Sequence, residues 1–321
     1  MPYDPKIVEA VDEQFRLRRE KNQSDLAARR AAAYKKEPRI RKIDEALAAR
    51  YRDLILAGLG GKAPSKSEIR AVTVDHLAER GELLVQNGFP PDYLELKTAC
   101  RKCGDEGFIN GRLCACYQKA LCREAASRTK LARLMEEQSF RTFRLDLYPE
   151  EDQKIMERIF QKCRDYAQNF SPSSGNLLFT GPPGVGKTFL SSAIAREVLE
   201  SGHSVVYDSI SAVIADFEAV KFGKDPDRDL KKYDSCDLLI LDDLGTEMIT
   251  QFSESVLYTL LNDRINARRP MIVSTNLDAQ NFSSFYSGSI LSRLSGEFLV
   301  MPFRGDDLRQ KPNRRKKSEK A

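Results

Sequence analysis

The sequence predicts an α/β fold, in which a parallel sheet is covered by helices on both faces and is preceded by a helical N-terminal region with a small zinc module. Three observations predict it. Short apolar runs alternate with helical stretches after residue 175, a glycine-rich loop follows the first of these runs, and four cysteines lie within residues 100–116. Continuous apolar strands separated by helices are typical of parallel sheets that are buried on both faces.

The first 60 or so of the 321 residues are rich in Arg, Lys, Glu and Ala, with apolar residues at roughly helical spacing. Pro38 is predicted to divide them into two helices, and a third helix is predicted over about 66–87. Helices with alternating charges are usually only solvated surfaces. An arm too polar to form its own core is, however, also typical of an element that binds a partner.

The four clustered cysteines form two close pairs along the chain: Cys100 with Cys103, and Cys114 with Cys116. Asn110-Gly111 between the pairs predicts a hairpin turn, which would fold one pair back on the other. This pattern predicts a structural Zn²⁺ site with four protein ligands in a module over about 98–118. Free thiols are the alternative, and Cys122 could replace a ligand because the second pair is unusually tight.

A basic helix over about 117–137 and a further helix over about 150–169 are predicted to lead into the α/β domain. The predicted organisation is therefore a partner-binding region over 1–137, the α/β domain over 138–310 and a basic, disordered tail over 311–321. The tail could be simply a solvated run of charges, or it could contact nucleic acid.

The glycine-rich loop reads Gly-Pro-Pro-Gly-Val-Gly-Lys-Thr and predicts a nucleotide-binding P-loop. Its glycines allow backbone N–H groups to converge on phosphate oxygens, and the helix that follows would favour an anion at its N-terminus. Lys187 is predicted to contact the β- and γ-phosphates, and Thr188 to bind Mg²⁺. The residues predicted to contact ATP here are Gly181, Pro182, Pro183, Gly184, Val185, Gly186, Lys187, Thr188 and Phe189.

Carboxylates close the apolar run Leu-Leu-Ile-Leu-Asp-Asp, where parallel sheets bind ligands. Asp242 is predicted to hold the Mg²⁺ ion, and Asp243 to orient the attacking water. Asn276 closes another predicted strand, and its amide could bond the γ-phosphate or that water. Arg293 and Arg309 are the remaining candidates to compensate phosphate charge, although an arbitrary arginine is more often solvated or paired.

Together these motifs resemble the AAA+ ATPases, and within them the bacterial replicative helicase loaders of the DnaC/DnaI type, including phage versions. The resemblance covers roughly 140–310. It rests on the P-loop, on Leu-Ile-Leu-Asp-Asp-Leu-Gly-Thr-Glu, on Asn-Asp-Arg-Ile-Asn-Ala-Arg-Arg-Pro, on Ser-Thr-Asn-Leu, on Ser-Arg-Leu and on Gly-Asp-Asp-Leu-Arg.

The resemblance implies a role for each matched position. The P-loop would be Walker A, Asp242 and Asp243 would be Walker B, and Asn276 would be sensor 1. Arg293 would be the arginine finger offered to a neighbouring subunit's ATP, and Arg309 would take the sensor 2 place. The second acid is Asp where the family usually has Glu, which would suit slow, switch-like hydrolysis, and the chain after residue 303 is short for the usual helical lid.

The function that the resemblance implies is ATP-dependent loading of the replicative DNA helicase onto single-stranded DNA. The segment 210–222 would face that DNA, through mostly electrostatic, salt-sensitive contacts. The cysteine module resembles the DnaI side of the family, whose N-terminal domain grips the helicase. An IstB-type helper of a DNA transposase is an alternative, and so is a nucleotide-gated adaptor with negligible turnover.

The composition of the chain does little to distinguish between these possible functions. The formal net charge is +5, which neither requires nor excludes nucleic acid. The absence of a long apolar run or a signal-peptide core predicts a cytoplasmic protein without a membrane partner. The expected cofactors are ATP, Mg²⁺ and Zn²⁺, and the expected partners are the replicative helicase, single-stranded DNA and, through the ATPase domain, further copies of the chain.

Overall fold

The computed structural model describes residues 4–58, 66–127 and 129–310. The chain divides into two compact units, Asp12–Cys114 and Met1–Val11 with Ala115–Ala321. The predicted basic tail over 311–321 lies outside the described residues. Within the described ranges, no helix combines the length and the apolar character that crossing a membrane requires.

Three long helices, which begin the chain, confirm the prediction for the N-terminal region: α1 (Pro5–Lys36), α2 (Pro38–Gly58) and α3 (Lys66–Gln86). Pro38 begins α2, at a position where a missing N–H costs nothing. A small core forms among Ala33, Ile40, Leu84 and Leu94. Beside it, Arg80 donates to Asp44 at 2.9 Å, so a half-buried ion pair joins α3 to α2.

The cysteine module contains the predicted hairpin, with strands β1 (Phe108–Ile109) and β2 (Arg112–Leu113). Asn110 and Gly111 have φ values of +50° and +76°. Two consecutive residues in the left-handed region are what a type I′ turn requires. The Asn-Gly prediction is therefore confirmed.

Asp105 is the polar centre of the loop between the two cysteine pairs, and its side chain is fully buried. Its carboxylate accepts hydrogen bonds from the backbone N–H groups of Ala99 and Cys100, at 2.9 and 2.8 Å. It also accepts from the side chain of Asn22 on α1, at 2.9 Å, while Arg19 donates to the Asp105 carbonyl at 3.1 Å. One buried carboxylate thus fixes this loop to α1.

The second unit contains a five-stranded, all-parallel sheet in the order β4-β5-β6-β3-β7. This confirms the predicted fold class. The strands are β3 (Asn176–Thr180), β4 (Val205–Ser209), β5 (Leu238–Leu244), β6 (Met271–Thr275) and β7 (Phe298–Pro302). The helices are α4 (Ala115–Ser127), α5 (Lys130–Glu137), α6 (Glu150–Gln168), α7 (Lys187–Ser201), α8 (Ile210–Lys221), α9 (Lys231–Ser235), α10 (Gln251–Asn266), α11 (Ala279–Phe285) and α12 (Gly288–Glu297).

Both faces of the sheet are covered, because alternate strand residues enter two different cores. On β5, Leu238 and Ile240 pack with residues of α6 and α7, whereas Leu239 and Leu241 pack with residues of α8, α10 and α12. Successive side chains of a strand point to opposite faces. A strand that is apolar at every position is therefore buried on both sides.

The single basic helix predicted over about 117–137 is wrong, because the chain forms two helices, α4 and α5. Thr129 separates them as the N-cap of α5, where its hydroxyl accepts from Leu131 N–H. Both helices pack on α7, and Leu131 is fully buried in the sheet's core. The larger part of the second compact unit thus begins at Ala115, while the predicted domain boundary near 138 stays a prediction.

We expect Asp105→Ala to lower the free energy of unfolding of the unit Asp12–Cys114 by about 3–5 kcal/mol, because it leaves several buried N–H donors without an acceptor. Chemical denaturation followed by circular dichroism would measure this loss. Asp92→Ala, at an exposed position of the same unit, should change stability by no more than about 0.5 kcal/mol. Equal stabilities of the two variants would contradict the role given to Asp105.

Candidate functional site

The predicted P-loop lies between β3 and α7 and needs glycine for steric reasons. Gly181 and Gly184 have φ values of +137° and +80°. A Cβ atom at Gly181 would lie 2.3 Å from the Phe303 carbonyl oxygen, and one at Gly184 would lie 1.9 Å from Asp307 Oδ1. Side chains at either position would therefore push away the segment that follows β7.

Two neighbouring segments hold the loop in shape. The buried hydroxyl of Tyr148 donates to the Val185 carbonyl at 2.8 Å. From the other side, Leu308 N–H donates to the Gly184 carbonyl at 3.1 Å, and Phe303 N–H donates to Thr180 at 2.7 Å. The loop is thus preorganised by the chain before α6 and by the segment 303–310.

Lys187 begins α7 and is only 5% exposed. Its Nζ donates to the carbonyls of Gly181 and Pro182 at 2.6 and 2.7 Å, and to Asn276 Oδ1 at 2.6 Å. Burial lowers its pKa to about 8, although the nearby carboxylates of Asp243 and Asp242 act in the opposite direction. The ammonium group is therefore held at the mouth of the loop with all three of its hydrogens engaged.

Asp242 is only 2% exposed and is surrounded by hydroxyl donors. Tyr207 donates to Oδ2 at 2.8 Å, Ser274 to Oδ1 at 2.5 Å and Thr188 to Oδ2 at 3.2 Å. These donors come from β4, β6 and α7, so three elements fix the carboxylate. Burial, with the negative charge of Asp242 beside it, raises the pKa of Tyr207 well above its ordinary value.

Asp243 lies in a β-bulge. Leu241 pairs with Val273 and Leu244 with Thr275, so β5 carries one residue more than β6 between these pairs. Asp243 takes up the difference with a φ of +58°, and its N–H donates to Ser274 Oγ at 3.0 Å. Bulges re-aim side chains next to active sites. Here the bulge lets two consecutive acids serve one site, with Asp242 buried and Asp243 at the cavity.

A cavity of about 440 Å³ joins these residues, and Asp243, Asn276 and Arg309 line it together with the P-loop. Nine of the predicted positions thus line one cavity, because it is also lined by Pro183, Gly184, Gly186, Lys187, Thr188 and Phe189. Arg293 lies on α12 and is not among the lining residues.

The residues present fit a magnesium nucleotide. The loop's backbone, Lys187 and the N-terminus of α7 suit phosphate oxygens. Thr188 and Asp242 are oxygen donors within 3.2 Å of each other, which suits Mg²⁺. Bound Mg²⁺ would neutralise charge that develops on the phosphates, while Asp243 and Asn276 offer an acceptor and an amide to position water. The chemistry that this set supports is phosphoanhydride hydrolysis.

The four clustered cysteines also meet as predicted. The Sγ atoms of Cys100, Cys103, Cys114 and Cys116 all lie within 4.8 Å of one another. Cys100 Sγ and Cys114 Sγ are 3.8 Å apart, which is about the edge of a tetrahedron with Zn–S bonds near 2.3 Å. Gly107 N–H points to Cys103 Sγ at 3.4 Å. Four thiols in this geometry could hold zinc.

Cys122, the alternative ligand, lies elsewhere. It is 1% exposed in the core of the sheet, and its Sγ is 3.5 Å from the Gly202 carbonyl. Cys116 is the second residue of α4, whereas Cys122 follows it by almost two helical turns. Of these two residues, Cys116 is in the thiol cluster and Cys122 is not.

Sequence reasoning missed the residues that hold the site. Tyr207 and Tyr148 belong to no motif, and the Ser-Thr-Asn-Leu motif assigned no role to the hydroxyl of Ser274. Their hydrogen bonds cross from one strand or segment to another. For Tyr207, the sequence offered one signal: a side chain with a hydroxyl group near the end of an apolar run, where strands of a parallel sheet place their site residues.

With this geometry, the class of protein is a P-loop nucleotide-binding ATPase with an AAA+ type parallel sheet. A family model described as "IstB-like ATP binding protein" matches residues 113–317, more than half of the chain. The chain therefore belongs to that family, whose members are AAA+ ATPases of the DnaC and IstB type. Membership supports ATPase activity in general and implies a nucleotide with Mg²⁺.

Curated relatives match part of the chain. The replicative helicase loader DnaC of Escherichia coli (strain K12) is 24% identical over 153 residues, which are 47% of this chain and 62% of DnaC. The insertion sequence IS21 putative ATP-binding protein of Pseudomonas aeruginosa is 26% identical over 198 residues, 60% of this chain and 72% of that protein. The chain thus spans less than two thirds of the helicase loader's length.

Two solved structures show a similarly low sequence identity to this chain. The crystal structure of the DnaC helicase loader shows 23% identity and a TM-score of 0.45, and covers 54% of this chain and 99% of that one. The crystal structure of DnaI shows 20% identity and a TM-score of 0.45, and covers 54% of this chain and 94% of that one.

We expect nucleotide affinity to fall by about tenfold between pH 7 and pH 9, because Lys187 loses its proton near pH 8 in the free protein while phosphate would keep it charged in the complex. The sign follows from the lowered pKa, since the charged form is the one lost as pH rises. Calorimetric titration with ADP and Mg²⁺ would measure it. Lys187→Arg stays charged throughout, so its affinity, even if lower, should not follow pH; an unchanged pH dependence would contradict the assignment.

We expect Cys116→Ser to lose stoichiometric zinc and Cys122→Ser to retain it, because only Cys116 belongs to the thiol cluster. Elemental analysis of the two purified proteins would decide between them, and Cys122→Ser is a matched control for the loss of one buried thiol. Zinc loss in Cys122→Ser alone would reverse the assignment.

Proposed function

We propose that this protein is an ATP-dependent loader of the replicative DNA helicase onto single-stranded DNA. The observation that carries the proposal is the thiol cluster at residues 100–116, directly ahead of an ATPase unit of the DnaC and IstB type. A zinc module in this place resembles the DnaI side of the family. The region 1–137 is then the part that binds the helicase, and ATP gates what the ATPase domain does with DNA in the cytoplasm.

The site residues take the roles that their geometry suits. Lys187 and the P-loop bind the phosphates, Thr188 and Asp242 hold Mg²⁺, and Asp243 with Asn276 position the attacking water. Asp243 is shorter than the usual glutamate at this place, which supports slow, switch-like turnover. Arg309, which lines the same cavity, adds positive charge on the nucleotide's side.

Arg293 is proposed to act on another copy of the chain. It lies on α12, half-buried, outside the lining of its own nucleotide cavity. An arginine finger supplied in trans would make hydrolysis depend on self-association. This assignment rests on the family resemblance together with the position of α12.

Single-stranded DNA is proposed to contact the end of α8. Lys221 Nζ lies 4.1 Å from the ring centre of Phe252, and the neighbouring Phe222 is 64% exposed. Cations beside exposed aromatic faces suit a sugar-phosphate backbone with unstacked bases. These two rings add stacking surface to the mainly electrostatic contact that the sequence predicts.

The test is capture and loading with the full-length protein. Tagged protein should capture the replicative helicase of the same cell, whereas Cys103→Ser should lose capture together with zinc. Circular single-stranded DNA should then acquire helicase only when ATP and Mg²⁺ are present, and Lys187→Ala should capture helicase without loading it. No capture by zinc-loaded protein would overturn the loader proposal.

A transposition helper is the second candidate, favoured by the family model and by the longer match to the IS21 protein. Capture of a DNA transposase instead of the helicase would support it. The adaptor alternative differs in turnover. ATP hydrolysis that stays at background with and without single-stranded DNA would favour the adaptor over an enzyme.

A further inference from the structure

The turn that follows the two site carboxylates has a partner outside the nucleotide cavity. Glu247 lies four residues after Asp243 and is half-buried. Its Oε2 accepts from Gly245 N–H at 2.9 Å, inside the turn. Its Oε1 accepts from the hydroxyl of Tyr286, which lies just after α11. Both oxygens of one carboxylate are thus used to join two segments.

The turn needs this support, because Asp243 is a non-glycine residue in the left-handed region. Such conformations cost of order 1–3 kcal/mol and persist only where the surroundings enforce them. Two further hydrogen bonds stabilise the turn: the Thr246 hydroxyl donates to the Asp243 carbonyl at 2.8 Å, and the Thr275 hydroxyl donates to the Leu244 carbonyl at 2.7 Å. Glu247 is the member of this set that leads away from the sheet.

Tyr286 carries the connection to α12. Its ring is 4% exposed and packs against Phe282, with ring centres 5.2 Å apart. The next residue, Ser287, is the N-cap of α12, and its N–H donates to Glu254 Oε1 at 2.7 Å. The carboxylates of Glu247 in the turn and of Glu254 on α10 therefore hold the start of the helix that bears Arg293.

We propose that Glu247 and Tyr286 are positioning residues, which link the Asp243 turn to the N-terminus of α12, so that nucleotide binding at the P-loop is transmitted to that helix. The inference rests on the proposed nucleotide site and adds a route from it to a surface that lines no part of the cavity. Neither residue touches nucleotide. Their effect is to fix the aim of Asp243 at one end and the start of α12 at the other.

Hydrogen exchange in the full-length protein tests the link without relying on turnover. Mg²⁺ with a non-hydrolysable ATP analogue should slow amide exchange in peptides that cover 286–297 by about fivefold, the effect of one hydrogen bond. Tyr286→Phe should keep analogue affinity within about twofold, since Tyr286 does not line the cavity, but lose this slowing. Glu247→Gln, which keeps the size of the side chain, should behave in the same way.

Tyr233→Phe is the matched control. Its hydroxyl is also buried and also bonds carboxylates, those of Asp208 and Asp216 at 3.1 and 2.7 Å, but it is not part of this link. That variant should retain both affinity and the exchange response. Slowing that survives in both Tyr286→Phe and Glu247→Gln would overturn the inference, and so would normal analogue binding without any change at α12. Failure to bind the analogue would instead overturn the proposed ATP site itself, and the inference with it.

Discussion

A carboxylate buried at the end of a parallel strand is the constraint on which this ATPase unit depends. An isolated buried charge is strongly unfavourable unless donors surround it. Asp242 meets that requirement with hydroxyls from β4, β6 and α7. Strand order, helix placement and the P-loop must all be correct for those three donors to converge. The geometry of the site therefore depends on the whole sheet and not on one loop.

The cysteine module uses the same device in a smaller space. Asp105 is buried as completely as Asp242, and the backbone N–H groups of Ala99 and Cys100 take the place of the hydroxyls. A structural metal usually supplies much of the folding free energy of such a small module. Here a carboxylate already closes the loop between the cysteine pairs. The thiols are thus presented in one place by ordinary hydrogen bonding.

The parts that could be predicted from the sequence are those encoded locally. Glycine spacing identified the P-loop, alternating apolar runs identified the strands, and Asn110-Gly111 identified the hairpin turn, because each depends on the conformation of a few neighbouring residues. The bulge at Asp243 could not be predicted, since it arises from the register between β5 and β6. Tyr207 was missed because its partner lies on a neighbouring strand. The break at Thr129 was missed because a hydroxyl cap outweighed a continuous helical pattern.

The close approach of Gly184 to Asp307 has a consequence for variation in this protein. The P-loop and the segment after β7 are more than a hundred residues apart in the chain, yet each fills the space beside the other. Free-energy effects of substitutions in contacting residues are not additive. Substitutions in the two segments are therefore expected to be coupled: whether one segment tolerates a change depends on which residues the other contains. A chimaera that exchanges only one of the two segments would separate residues that pack against each other.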